Sequence, residues 1–129
     1  MKTTPLEDLY VHTLHCFQDA EETVRNGSST ELDDMIYQAL GISVLALYHC
    51  LEYENSFAID SEISTLWATK QTLLTSMEYI RDWMQTNLVP YDSYPDIRSD
   101  MASLHAVLDI QESASNYLDG IIKGMGYIA

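Results

Sequence analysis

Residues Met35 to Leu51 read MIYQALGISVLALYHCL, the most apolar stretch of the chain, with no Asp, Glu, Lys or Arg. Apolar residues recur in it at intervals of three and four, the spacing that brings side chains to one face of an α-helix. We therefore predict a central helix over about residues 31–54. Its predicted core-facing stripe is Leu32, Ile36, Ala39, Leu40, Ser43, Ala46, Leu47, Cys50 and Leu51.

The opposite face of this helix is also apolar. A helix that is apolar nearly all round must be covered on more than one side. This second face is therefore either buried by the rest of the chain or used to bind a partner or a second copy. Aromatic side chains are common anchors in such interfaces. The predicted partner-binding residues are Tyr37, Gly41, Val44, Leu45 and Tyr48.

Three more helices are predicted around the central one, over about residues 5–25, 61–87 and 96–123. Each has apolar residues at helical spacing, and no useful length of sequence alternates with the period of two typical of a strand. Short connections make successive helices antiparallel neighbours. The sequence thus predicts an all-α fold, an antiparallel bundle of four helices in a single domain spanning residues 1–129.

Local signals predict where these helices begin and end. Pro5 suits a first helical turn with Thr4 or Thr3 as its cap, and Gly27 suits the left-handed position that follows a helix. Thr30 and Asp33 have the spacing of a capping box, in which each side chain bonds the other's backbone amide. Asp60, after the connection at residues 55–59, is a good N-cap for the third helix.

Two features of the later helices carry specific expectations. In the fourth helix, apolar residues alternate by four and three, as in a bundle seam, with polar Gln111 in its middle. In the third, Lys70 falls among apolar residues, and we expect its stem to lie along them while its ammonium reaches water. Between these helices, Tyr91 and Tyr94 are expected to pack against a helix end.

The chain is strongly acidic, with 20 Asp and Glu against 6 Lys and Arg, a net charge of −14 and a pI near 4.2. Repulsion by phosphate makes direct binding to nucleic acid or an anionic membrane unfavourable, and favours a basic protein partner. Spaced carboxylates also suit an acidic nucleic-acid mimic of phage-inhibitor or immunity-protein type, and an acidic surface is equally typical of simple solubility. The predicted acidic surface comprises Glu21, Glu22, Glu31, Asp33, Asp34, Glu52 and Glu54.

Cys16 and Cys50 each follow a histidine on a predicted helix, which is not the pattern of a disulfide-stapled secreted domain. We therefore expect reduced thiols and a cytoplasmic location. No uninterrupted apolar run reaches about 18 residues, the length that spans a bilayer. The first ten residues, MKTTPLEDLY, lack the apolar centre of a signal peptide.

One group of residues has the chemistry of a metal site, because imidazole, thiolate and carboxylate are all suitable ligands. Its members share neighbouring turns of the first helix, but most lie on its polar face, where four ligands do not converge on one point. We predict no metal and no cofactor, and keep a metal-binding bundle as an alternative. The candidate ligands are His12, His15, Cys16 and Asp19.

Signatures of catalysis are missing from the sequence. It has no Gly-rich phosphate loop, no strand-to-helix nucleophile turn and no Glu-x-x-His pair of the di-iron type. Arg98 and His105 share a helix, as in some nucleotide-cleaving bundles, but the acid around them would repel RNA. We predict a non-enzymatic, acidic helical interaction module that binds or inhibits a basic protein, self-associates, or does both.

Overall fold

The computed structural model describes residues 2–27, 30–55 and 63–124. Within these ranges it has four long helices, one short 3-10 turn and no strand. The predicted bundle of four helices is confirmed, and each described helix boundary lies within two residues of its prediction. The helices are α1 (Pro5–Arg25), α2 (Glu31–Asn55), α3 (Ile63–Asn87) and α4 (Pro95–Gly124). The predicted N-cap Asp60 lies outside the described residues.

The starts of α1 and α2 are formed by the predicted local signals. Pro5 occupies the first turn of α1, where Thr4 Oγ1 accepts a hydrogen bond from the Glu7 backbone N–H at 3.1 Å. At the start of α2, the Asp33 N–H donates to Thr30 Oγ1 at 3.2 Å, and the Thr30 N–H donates to Asp33 Oδ2 at 3.1 Å. This reciprocal pair is a capping box, and each bond satisfies a donor that the helix itself leaves unpaired.

The end of α1 is also as predicted. Gly27 follows it with a φ of +79°, in the left-handed region that costs a residue with a Cβ about 1–2 kcal/mol. The chain then reverses direction into α2. A glycine at this position lets two long helices lie side by side with a short connection.

Helix α2 lies at the centre of the bundle and contacts all three other helices. Its predicted inward stripe is confirmed, because the middle positions are buried and Leu32, Ile36 and Leu51 are partly buried against the core. Burial of a Leu or Ile side chain contributes about 1.5–3 kcal/mol. The fully or almost fully buried members of the stripe are Ala39, Leu40, Ser43, Ala46, Leu47 and Cys50.

Contacts show that α1 runs antiparallel to α2, and α3 to α4. Glu21 bonds Tyr37 while Phe17 lies against Gly41, and Ser76 bonds Gln111 while Lys70 pairs with Asp119. The predicted seam of α4 faces the core. The buried residues of α4 are Leu104, Val107, Leu108, Gln111, Ala114, Ser115, Leu118 and Ile122.

Two expectations about polar and aromatic side chains are wrong. Tyr91 and Tyr94 are exposed, because the connection forms a 3-10 turn anchored by buried Leu88. Lys70 is buried, with 8% of its surface exposed, and its ammonium pairs with Asp119 of α4 at 2.6 Å, where the sequence predicted an ammonium in water. The first outcome follows from the local turn, and the second depends on a partner 49 residues away in sequence.

Helix α2 also bears on the question of a membrane span. Within the described part of the chain, it is the one helix whose length and composition would allow it to cross a bilayer. The core helix of a soluble protein meets the same test, so the property is weak support for a span. The packing of α2 against α1, α3 and α4 is that of a core helix.

Candidate functional site: the outer face of α2

Helix α1 covers one flank of the predicted partner-binding face. The Phe17 ring stacks on the Tyr37 ring, with 5.1 Å between centroids and 14° between planes. The Tyr37 hydroxyl donates a hydrogen bond to Glu21 Oε2 at 3.5 Å. An aromatic pair of this kind contributes about 0.5–1.5 kcal/mol beyond its buried area. Tyr37 therefore joins α1 to α2 within the chain.

Gly41 is also used inside the bundle. A Cβ added at Gly41 would lie 3.2 Å from Phe17 Cε2, so the missing side chain lets the ring approach the α2 backbone. Val44, one turn further on, is partly buried. The open part of the predicted surface is thus smaller than expected, because Phe17 occupies the space over Tyr37 and Gly41.

Leu45 and Tyr48 remain open, with 51% and 47% of their surfaces exposed. The Tyr48 ring lies 6.1 Å from the His49 ring, tilted by 57°. A hydrogen bond from the Tyr48 hydroxyl to the Glu52 carboxylate, followed by the charge of Glu52, raises the pKa of Tyr48. The phenol is therefore neutral at physiological pH, an apolar ring with a hydrogen-bonding tip.

An open groove between α2 and α3 runs beside Leu45. It was not predicted from the sequence. One part of it has a volume of about 630 Å³ and the adjoining part about 470 Å³. Both parts include Ile42 and Thr72 in their lining, so they adjoin each other, and together they are here called the α2–α3 groove. Its α2 residues are Glu31, Asp34, Met35, Gln38, Ile42, Leu45 and His49.

The α3 wall of this groove is made mostly of small side chains. They recur every three or four residues, so they share one face of the helix. Where small side chains of one helix face a neighbouring helix, they leave open space between the two backbones. The repeat of small residues in α3 is therefore the sequence signal that would have indicated the groove. The α3 residues are Ser64, Thr65, Ala68, Thr69, Gln71, Thr72, Thr75, Ser76 and Tyr79.

The charge of the groove is one-sided. Glu31 and Asp34 line one end and are exposed. On α3, Glu78 and Asp82 flank Tyr79 near that end and are exposed as well. No Lys or Arg is among the described residues that line either part of the groove. A cation inside this end of the groove therefore meets carboxylates and no Lys or Arg of the groove lining.

The predicted acidic surface does not behave as one cluster. Glu21 pairs with Arg25 at 3.4 Å and also accepts from Tyr37, and Asp33 is used in the cap of α2. Glu22 and Glu54 are exposed. Glu31 and Asp34 border the α2–α3 groove, and Asp33 borders a separate cleft beside α1 and α4.

The candidate metal ligands on α1 do not converge. His12, His15 and Asp19 are exposed, and Cys16 Sγ lies 3.7 Å from His12 Nε2. Partial burial, followed by the charge of Asp19, raises the pKa of Cys16, which favours the thiol over the thiolate that binds metal. Across residues 2–27, 30–55 and 63–124, no three or more His, Cys, Asp or Glu are grouped so that they could hold a metal ion.

Comparisons with known proteins do not assign this surface. No protein-family model, no curated protein and no solved structure matches the chain.

Proposed function

We propose that this protein is a non-enzymatic interaction module that binds a basic protein partner through the outer face of α2. The observation that carries the proposal is the exposure of Leu45 and Tyr48, of which Leu45 also lines an open groove. Both lie on the central helix of the bundle, which holds their backbone in place.

An exposed Leu that lines a groove, with an exposed Tyr one helical turn away, has the chemistry of an interface centre. Burying such side chains supplies affinity, and aromatic anchors in a pocket often contribute most. The net charge of −14 supplies a long-range attraction for a basic partner, which raises the rate of association. Contact is therefore led by charge and held by apolar burial.

Absence of catalysis is part of the proposal. Among the described residues, the groups with clearly shifted pKa values are Cys16, Tyr48 and Cys50. Each pKa is raised, so each group is held in its neutral and less nucleophilic form. We also propose a cytoplasmic location, because both cysteines are free thiols.

Affinity capture with matched baits tests the proposal. The wild-type chain, Leu45→Glu and Ala106→Glu are immobilised and exposed to lysate of the source organism. Ala106 is an exposed residue of α4 that lines no part of the α2–α3 groove, so its substitution adds the same charge at a different surface. We expect a protein of basic pI to bind the wild type and Ala106→Glu and to be lost with Leu45→Glu. Partners that are acidic, or that ignore Leu45→Glu, would overturn the proposal.

Self-association through the same face is the second candidate function. Exposed Leu45 and Tyr48 would serve a second copy as well as a different protein. Each copy carries a charge of −14, however, and this repulsion opposes a dimer, most strongly at low salt. The foreign basic partner is therefore favoured.

A further inference from the structure

We propose that the α2–α3 groove is the docking site for a cationic amphipathic helix of the partner. This inference rests on the proposed function and specifies the shape, the charge and the placement of what binds.

The length of the groove suits a helix. Its two parts, of about 630 Å³ and 470 Å³, join at Ile42 and Thr72. On α2 it runs from Glu31 to His49, a separation of 18 residues that corresponds to about 27 Å at a rise of 1.5 Å per residue. A helix of about five turns fills that length.

The lining also favours a helix over an extended peptide. Met35, Ile42 and Leu45 give the α2 side an apolar surface. On the α3 side, the short side chains of Ala68 and Thr72 leave space above the helix backbone. Small side chains allow a third helix to approach and pack into the groove. The described residues form no strand, so an extended peptide would find no sheet edge for its backbone groups, whereas a helix pairs its own.

Charge selects the kind of helix and its placement. Carboxylates of Glu31 and Asp34 line one end of the groove, and the other end has neutral Ser64 and Thr65. Lys or Arg of the bound helix should therefore gather at the Glu31 end, with its apolar stripe over Ile42. A second copy of this chain would add another charge of −14 and is the less favourable occupant.

The probe for the test is a synthetic 18-residue peptide with leucines at helical spacing and lysines on the flanks. Two comparison peptides are a scrambled sequence of the same composition and a version with every Lys replaced by Glu. Fluorescence anisotropy measures their affinities at low and at high salt. We expect the cationic amphipathic peptide to bind at least tenfold more tightly than the scrambled one, and the acidic one not to bind.

Variants of this chain locate the peptide. Thr72→Trp and Ala68→Trp fill the groove from exposed positions of α3, and each should weaken binding at least tenfold. Glu31→Lys with Asp34→Lys should do the same. The charge-matched control is Asp109→Lys with Glu112→Lys, exposed residues beside the groove between α3 and α4, and this should change affinity less than threefold. Circular dichroism checks that each variant folds, and Thr72→Arg replaces Thr72→Trp if that variant does not.

Each contrary result has a definite meaning. Equal binding of the scrambled peptide, or indifference to the groove-filling variants, would overturn groove docking. If a basic partner from lysate loses binding with Leu45→Glu but still binds Thr72→Trp, the proposed function stands and the inference of docking in the groove is overturned. If the wild type forms a dimer that Thr72→Trp dissociates, the occupant is a second copy and the inference of a foreign helix is overturned.

Discussion

The Lys70 ammonium of α3 lies 2.6 Å from Asp119 Oδ1 of α4 and 5.2 Å from the centre of the Trp67 ring. The Lys70 side chain is 10% exposed, and the Asp119 side chain is 29% exposed. No other described residue bonds Asp119 Oδ1, the buried oxygen of this carboxylate. The lysine is therefore the more deeply buried side chain of the pair, and Asp119 is its one counter-charge.

This asymmetry predicts unequal effects of removing either partner. Asp119→Asn leaves a buried ammonium unpaired and should lower the free energy of unfolding by about 2 kcal/mol, below the 3–5 kcal/mol of a fully buried pair because Asp119 is partly solvated. Lys70→Met keeps the length of the side chain, and Asp119, whose side chain is 29% exposed, can turn its carboxylate to water, at a cost of about 1 kcal/mol or less. Urea unfolding followed by circular dichroism measures both.

The control for the ion pair is Asp109→Asn, which removes an exposed carboxylate from the same helix. It should change stability by about 0.5 kcal/mol or less. A loss for Lys70→Met equal to that for Asp119→Asn would contradict the assignment of the larger burial cost to the ammonium.

Phe17 and Gly41 should be energetically coupled. Replacing a mid-helix glycine by alanine stabilises a helix by about 1 kcal/mol. Here the new Cβ would lie 3.2 Å from Phe17 Cε2, so part of that gain is lost in displacing the stacked ring. We expect the full gain of about 1 kcal/mol from Gly41→Ala in a Phe17→Ala background, and a smaller effect in the wild type. A double-mutant cycle by urea unfolding measures the difference, and additive effects would argue against the close approach.

Cys50 should make stability depend on alkaline pH. Burial, followed by the charge of Glu54, raises the pKa of Cys50 from 9.0 to about 12. Because the folded protein holds this proton more tightly than the unfolded chain, the contribution is complete below about pH 9 and is lost as the pH rises towards 12. The free energy of unfolding should fall across this window more steeply in the wild type than in Cys50→Ala.

Tyrosines also titrate at alkaline pH. Because the wild type and Cys50→Ala contain the same tyrosines, their contribution cancels in the difference between the two pH dependences. Parallel pH dependences would show that the thiol has the same pKa in both states. A thiol reagent offers a second check, because buried Cys50 should react only when the chain unfolds, and Cys16, which is partly exposed, should react first.

Gln111 carries a polar atom that the bundle does not satisfy. Its Nε2 donates to Ser76 Oγ at 2.9 Å, but no described residue donates to its buried Oε1. A methionine has nearly the same shape and no such acceptor, so Gln111→Met should raise the free energy of unfolding by about 1 kcal/mol. Gln111→Ala should instead lower it by about 2 kcal/mol because it leaves a cavity. A loss of stability with methionine would mean that the amide contributes more than its one described bond.

The oligomeric state separates a foreign partner from self-association. Light scattering behind a sizing column, at low and high salt, should give a monomer near the chain mass of 14.7 kDa. If a dimer exists, high salt should favour it by screening the charge of −14 on each copy. A dimer stable at low salt would show that apolar burial outweighs this repulsion. Self-association would then be favoured over a foreign partner.

The helices and their ends could be predicted from the sequence because they depend on residues close together in the chain. The caps formed by Thr4, Thr30 and Asp33 and the left-handed Gly27 act within one turn. The core stripe of α2 follows from the 3.6-residue period, because residues at this spacing share one face whichever helix packs against it. These features give the number of helices, their approximate bounds and the faces that must be buried.

Which faces stay open was decided only by the tertiary structure. Two tyrosines of α2 look equivalent in sequence, yet Phe17 covers Tyr37 and leaves Tyr48 exposed. Lys70 fits an apolar stripe only because α4 brings Asp119 to it. The α2–α3 groove arises where large side chains of one helix face small ones of another. Such outcomes depend on packing between distant parts of the chain, and the periodicity of one helix does not specify its neighbour.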